Sequence, residues 1–395
     1  MTCLKQTQAF VSTKSCNPFP PEFDDTLRRF DFMDKTRQKV PLPKPMLKGA
    51  MLTSLAPMQD VTDLPFMKVM HRYGAPDYFF TEYFRVYPNS RLDRHILRSI
   101  TENPSDRPVY AQLLGNSLDD IKRIVPQLEN HPIAGVDLNV GCPAPKIYKN
   151  AAGGGLLRDI DRLERIVEAL REVVQGSLSL KIRVGFDSFE PFEETIALVE
   201  KYSIDLLTIH ARTVREAYRG EPHYEFVKKA VETLDCPVFA NGNITSAAKA
   251  NRVIKDTGAT GVMIGRSAIR NPWIFRQVRE FSHGNPIFQP TLADVRQYVD
   301  DLNEMCKEKI ERERSRVNHL KKFLNFVGQS VDPDGRFMKA VRRCQDEETF
   351  FKTCDEHLIE GDKATQPFRI EPYAGVVARP NCEDGHVTEV GECKL

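Results

Sequence analysis

Residues Gly135–Pro143 read GVDLNVGCP: a short apolar run, a polar residue near its end, a tight turn, and then a thiol. Glycine lets the backbone turn sharply and proline stops a strand from continuing. The segment therefore reads as a buried strand that ends by presenting Asn139 and Cys142. Seven further runs of the same texture flank it: Met51–Ala56, Tyr78–Thr81, Val109–Leu114, Leu178–Val184, Leu206–His210, Pro237–Ala240 and Gly261–Ile264. Their starts lie roughly 25 to 45 residues apart, the length of a βα unit. Continuous apolar character suits strands buried on both faces. Eight such runs, alternating with amphipathic stretches, predict an α/β fold, a (β/α)8 TIM barrel over residues 51–288. A doubly wound open sheet is the alternative, because periodicity alone does not close a barrel.

A barrel makes a sharper demand, that functional side chains gather at the C-terminal ends of the strands. Working outward from Asn139 and Cys142, they do. Pro57-Met58-Gln59 follows the first run, Glu82 the second, and Gln112 lies within the third. Lys181 and Arg183 end the fifth, and His210 and Arg212 the sixth. Asn241-Gly242-Asn243 follows the seventh, and Gly265-Arg266 the eighth. A core with no other purpose would not place polar residues at the same end every time.

Beyond the barrel the texture changes. Residues 1–50 carry two proline-rich segments, NPFPPE (Asn17–Glu22) and KVPLPKP (Lys39–Pro45), and read as an N-terminal extension, partly ordered at best. Residues 289–357 read as a small helical domain, and 358–395 as a flexible tail without apolar period. With 41% hydrophobic and 28% charged residues the chain of 395 is not disordered throughout, and no run of about 18 apolar residues occurs to span a membrane. No apolar signal core opens the chain, so the expected compartment is cytoplasmic, and the default oligomeric state is a monomer. Nine cysteines without a C-x-x-C pair suit a reducing compartment and predict no metal site. Net charge is +1, so a polyanion partner must be sought in local patches.

Each candidate has an ordinary reading beside the functional one. Cys142 is a nucleophile or proton donor, or else a buried structural thiol. Lys181 and His210 bind an electron-rich ligand, or Lys181 pairs with a carboxylate. The turns at Asn241-Gly242-Asn243 and Gly265-Arg266 occupy the corner where barrels often hold phosphate, which Arg266 could contact. The loop Ala151–Gly155, AAGGG, matches no phosphate-binding pattern and reads as a mobile loop. Lys307–Lys322 is strongly basic; a solvated helix face is its ordinary reading, a phosphate-backbone footprint the other.

Six segments, taken together, resemble the tRNA-dihydrouridine synthase family. They are APMQDVTDLPF (Ala56–Phe66), DLNVGCPAPKIYKNAAGGGLL (Asp137–Leu157), KIRVGFD (Lys181–Asp187), HARTVREAYRG (His210–Gly220), NGNI (Asn241–Ile244) and GVMIGRSAIRNPWIF (Gly261–Phe275). The likeness runs from about Met51 to about Trp273. It implies a flavin-dependent oxidoreductase: an FMN barrel with a helical tRNA-binding domain, reducing the C5–C6 bond of particular uridines at the expense of NADPH or NADH. By this resemblance Cys142 is the general acid toward C5. Pro57, Met58, Gln59, Gln112, Lys181, His210, Asn241, Gly242, Asn243, Gly265 and Arg266 hold FMN. Asn139, Arg183 and Tyr218 hold the target base. The resemblance also moves Lys307–Lys322 toward a tRNA-facing role. The rivals are an FMN barrel acting on a small molecule and a tRNA-binding barrel without chemistry.

Overall fold

The computed structural model describes residues 51–378. The expected N-terminal extension and the end of the tail lie outside them. The chain divides into Met1–Lys39 and Val40–Leu395, and every described residue falls in the second. Nine strands form: β1 (Leu52–Leu55), β2 (Phe79–Phe80), β3 (Phe84–Val86), β4 (Val109–Gly115), β5 (Gly135–Val140), β6 (Ser177–Arg183), β7 (Leu206–His210), β8 (Val238–Asn241) and β9 (Gly261–Ile264). All pair in parallel, in the order β1-β9-β8-β7-β6-β5-β4-β2, with β3 also on β4. A Ser54–Tyr78 bridge returns β2 to β1, so the sheet closes into a barrel and is not open. β2 and β3 are two pieces of one barrel strand, since Phe79 faces Val109 and Phe84 faces Leu113.

Strand period explains the layering. Along β5, Val136, Leu138 and Val140 join the core shared with the outer helices, and along β6 so do Leu178, Leu180 and Ile182. The alternate residues point inward. Leu52, Tyr78, Phe80, Tyr110, Leu206, Phe239 and Met263 plug the barrel, with Phe80 and Tyr110 stacked at 5.0 Å between ring centroids. Each buried ring contributes on the order of 2–3 kcal/mol. Polar residues occupy the remaining inward positions, toward the strand ends.

The outer helices are α1 (Leu64–Gly74), α2 (Arg94–Thr101), α3 (Leu118–Leu128), α4 (Pro145–Tyr148), α5 (Ile160–Val173), α6 (Pro191–Lys201), α7 (Tyr224–Thr233), α8 (Ala247–Thr257), α9 (Arg266–Arg270) and α10 (Ile274–Ser282). Four more follow: α11 (Leu292–Lys307), α12 (Glu313–Val327), α13 (Arg336–Arg343) and α14 (Glu347–Leu358). These pack on the barrel through α1 and α9. Phe66 stacks on Phe323 at 5.4 Å, Tyr73 donates to Asp301 at 2.8 Å, and buried Tyr298 donates to the Ile269 carbonyl at 3.1 Å.

The flexible tail expected from residue 358 is corrected as far as Ala378. Phe368 is fully buried and its amide reaches the Pro290 carbonyl at 2.7 Å, while Tyr373 donates to the Gln329 carbonyl at 2.8 Å. A few single apolar anchors, Phe368, Val376 and Ala378, hold this segment without any periodic pattern. Among the described residues no helix is long and apolar enough to cross a membrane.

Candidate active site

The barrel mouth begins with the turn after β1. Thr62 accepts from the Met58 amide at 2.8 Å, and Glu82, at the end of β2, accepts from the Val61 amide at 3.2 Å. These bonds set the Pro57-Met58-Gln59 turn over the barrel. Burial beside Asp63 pushes the Glu82 carboxyl up to about 7.

Cys142 is placed by a chain of hydrogen bonds that runs through the barrel interior. Buried Asp137 accepts from Ser179 Oγ and from Gln112 Nε2, each at 2.7 Å. Because Nε2 of Gln112 is spent on Asp137, its Oε1 faces Asn139 and accepts from Nδ2 at 2.9 Å. Asn139 Oδ1 is thereby turned toward the next loop, where it accepts from the amides of Gly141 at 3.0 Å and Cys142 at 2.9 Å. One carboxylate orients two amides and the turn that carries the thiol. Burial raises the Cys142 pKa above its ordinary value, outweighing nearby Arg183, Lys181 and Arg85. The thiol is therefore protonated at neutral pH.

The glycine loop is not the mobile segment expected. Gly153–Arg158 forms a buried 3-10 turn, and the Gly154 amide donates to the Cys142 carbonyl at 3.2 Å. Its glycines serve close approach. A Cβ on Gly153, at φ +53°, would sit 2.9 Å from Cys142 Cβ and from Ile147 Cγ2.

On the opposite side β6 and β7 bring cations together. Lys181 lies in register with Asn139 and Thr208, and Arg183 with His210. Burial and Arg183 lower Lys181 to about 8, while buried Asp137 nearby favours its charge. Burial, followed by Arg183, Lys181, Arg212 and Arg266, holds His210 well below its ordinary value, so the ring is neutral. Arg212 Nη1 lies 3.3 Å from His210 Nε2. A guanidinium only donates, so Nε2 accepts and the ring proton resides on Nδ1.

Arg183 uses Nε and Nη1 to brace the loops around it. It donates to the carbonyls of Gly141, Thr213 and Ala217, each at 2.8 Å, which ties the Cys142 turn to the loop after β7. Tyr218 in that loop lies under Arg266, 4.8 Å from ring centroid to guanidinium carbon. At the last corner Gly242 and Asn243 both have positive φ, 124° and 43°, Asn241 Nδ2 donates to the Met263 carbonyl at 2.7 Å, and Arg266 reaches Asn243 Oδ1 at 3.3 Å.

These residues fit FMN. Gln59 Oε1 and Thr208 Oγ1 are buried without a hydrogen-bond partner, which a polar ring edge would satisfy. Gly265 leaves room that a Cβ would fill, 3.3 Å from Met58 Sδ and Ala56 Cβ. Four cations surround a neutral imidazole, a donor set suited to an electron-rich ring and a phosphate.

The structure thus brings Pro57, Met58, Gln59, Gln112, Asn139, Cys142, Lys181, His210, Asn241, Gly242, Asn243, Gly265 and Arg266 to one mouth, with Arg183 and Tyr218 beside them. Sequence reasoning gave Asp137 and Thr208 no role and Arg212 only a position. The one signal for Asp137 and Thr208 is their two-residue spacing from Asn139 and His210. The basic stretch 307–322 is thinner than its composition, since Lys307 pairs with Glu304, Lys309 with Asp63 and Arg316 with Glu347.

With this geometry in place, the comparisons with known proteins agree. Residues 54–361 match the family model described as dihydrouridine synthase (Dus). The tRNA-dihydrouridine(16) synthase of Neisseria meningitidis is 28% identical over 300 residues, 74% of this chain and 90% of that protein. The tRNA-dihydrouridine synthase B of Pseudomonas aeruginosa is 37% identical over 231 residues, 58% of this chain and 68% of that one. Its counterpart in Xanthomonas axonopodis pv. citri is 35% identical over 244 residues, 61% and 73% of the two. The barrel, the thiol at its mouth and the matched span lead to one conclusion: the chain belongs to the dihydrouridine synthase family.

Proposed function

We propose that this protein is a tRNA-dihydrouridine synthase that reduces the C5–C6 bond of specific uridines, with FMN as cofactor and NAD(P)H as electron donor. One observation carries the reading: a protonated thiol, fixed by Asn139, beside a cation-lined pocket at the same end of the barrel. The balance is uridine plus NAD(P)H plus a proton, giving dihydrouridine and NAD(P)+. FMN bound in the pocket supplies hydride chemistry at C6 once reduced.

The chain's own residues do the rest. Cys142 gives its Sγ proton to C5, and its raised pKa keeps that proton available at neutral pH. Lys181 and the Nδ1 proton of His210 favour electron density on a bound ring edge. Arg266 supplies charge at the phosphate corner, and Gln59 and Thr208 supply unsatisfied polar atoms. Gln112 acts from below, through Asn139. Arg183 holds the Cys142 turn and the Tyr218 loop, which together wall the space for a uridine turned out of its stack. Outer residues of the helical domain, among them exposed Arg312 and Arg314, are its RNA-facing charges. The reading implies a monomer in the cytoplasm.

The test is nucleoside mass spectrometry of tRNA from cells lacking the protein. The expected result is loss of dihydrouridine at defined positions, restored by the wild-type chain and not by Cys142→Ala. Cys142→Ala should keep its flavin, whereas Lys181→Ala and Arg266→Ala should lose it on dialysis. Undiminished uridine turnover by Cys142→Ala would remove the general acid from the scheme. Flavin oxidation that ignores added tRNA would favour a small-molecule substrate.

A further inference from the structure

The strand piece β3 carries a pattern that the mechanism above does not use. Phe84 and Val86 are buried, whereas Arg85 between them is exposed. The alternation extends one residue each way, to half-buried Tyr83 and to Tyr87. Tyr87 is 56% exposed, the most exposed large apolar side chain among the described residues. Arg85 leans on the Tyr83 ring at 5.7 Å, and no carboxylate pairs with it among the described residues. An aromatic, cation, aromatic ladder of Tyr83, Arg85 and, just past the strand, Tyr87 therefore runs along the face opposite Phe84 and Val86, the face turned toward the barrel mouth, its steps about 6.8 Å apart.

The ladder is held rigid. Arg123 of α3 donates to the Ser90 carbonyl at 2.7 Å and to the Tyr87 carbonyl at 3.3 Å, and Asp120 anchors it from behind at 2.8 Å. The Ser90 amide returns to the Tyr87 carbonyl at 2.9 Å, closing a turn with Asn89 at φ +63°. A large ring kept in water on a clamped turn loses little entropy when something stacks on it.

Its inner end adjoins the active site. Tyr83 and Arg85 both lie close enough to Cys142 to interact electrostatically with the thiol. A uridine drawn to Cys142 leaves its neighbours unstacked, and unstacked nucleotides offer base faces to aromatic rings and phosphates to guanidinium groups. We infer that Tyr83, Arg85 and Tyr87 form a stacking platform for the single-stranded nucleotides flanking the uridine that enters the barrel. The inference rests on the function proposed above.

The test measures binding of an unmodified tRNA transcript to the full-length, FMN-loaded protein by fluorescence anisotropy. Flavin content and melting temperature of each variant report an intact fold. Tyr87→Ala should weaken binding by about tenfold, within the range of roughly 5- to 150-fold for one lost stacking partner. Tyr87→Phe should bind as the wild type does, since the ring face and not the hydroxyl stacks. Arg85→Gln should reduce the slope of log affinity against log salt by about 1, and Tyr87→Ala should leave that slope alone.

Wild-type affinity and wild-type kcat/KM in Tyr87→Ala would overturn the platform. So would loss of self-association in Tyr87→Ala with tRNA affinity untouched, which would assign the ring to a contact between copies. A wild-type protein that binds no tRNA would overturn the function reading and the platform with it. Wild-type binding with indifferent variants overturns the platform alone.

Discussion

Asp137→Leu isolates the hydrogen-bond chain behind the Cys142 thiol. The carboxylate accepts from Gln112 Nε2 and Ser179 Oγ, both at 2.7 Å in a fully buried site. Leucine strands both donors, at about 1–3 kcal/mol each. It also removes a carboxyl that burial pushes up to about 7 and whose charge is therefore costly, so the fold should lose at most about 2–6 kcal/mol. That is a large part of a typical domain's stability. Gln112 is then free to turn over, Asn139 loses its fixed orientation, and the two amides of the Cys142 turn lose their common acceptor. A displacement of about 1 Å at the thiol costs on the order of 100-fold in turnover.

Asp137→Asn provides the contrast. Its oxygen can still accept from Gln112 and its amide can still meet Ser179, so the chain of orientations survives. The assays are chemical denaturation, the rate of Cys142 alkylation by iodoacetamide, and single-turnover uridine reduction in flavin-replete protein. Leucine should lower stability and turnover and speed alkylation, while asparagine should change alkylation little. A leucine variant with the wild-type alkylation rate and turnover would refute the relay. Equal damage from both substitutions would mean that the charge facing Lys181 matters and the bond geometry does not.

Other expectations are open to direct measurement. Gly153→Ala combines a left-handed backbone with a Cβ 2.9 Å from Cys142, and should cost about 2–4 kcal/mol and most of the turnover; unchanged denaturation and turnover would contradict the packing. The Glu82 carboxyl, raised to about 7 from 4.5, keeps its proton in the folded state over a range where the unfolded chain has lost it. Wild-type stability should therefore fall by up to about 3 kcal/mol as pH rises across that window, and Glu82→Gln should be the more stable protein only above it. Equal stability of the two near pH 8 would remove the buried charge from the argument. Lys181, lowered to about 8, loses its charge as pH rises through that value. Equilibrium dialysis should show FMN retention weakening above pH 8, by at most about tenfold per unit, and Lys181→Met should flatten the profile; a flat wild-type profile would place the ligand away from Lys181.

Much of this molecule was legible in order of residues. All eight apolar runs became barrel strands, because a strand buried on both faces leaves a continuous apolar trace. The split of the second barrel strand into β2 and β3 left none, since Glu82 and Tyr83 simply interrupt the pairing. The residue types at the strand ends were readable, but their partners were not. Arg183 could be read as a ligand for a base, but its bonds from Nε and Nη1 to three carbonyls could not. The glycine loop looked mobile because glycine permits both freedom and close contact, and only the position of Cys142 shows which applies. Lys309 and Arg316 counted as basic surface until Asp63 and Glu347, remote in sequence, met them.

By itself the amino-acid order determined the kind of fold and the end of the barrel that does chemistry. Parallel strands of period two place every polar terminal residue on the same rim, whatever the loops do. The tertiary structure alone decided which of those residues share a bond. Gln112, Asp137, Asn139 and Ser179 come from three strands, and their common orientation follows from one buried carboxyl group that binds Gln112 and Ser179 together. Such directionality belongs to the register of neighbouring strands, a relation between residues far apart in sequence that no local pattern records.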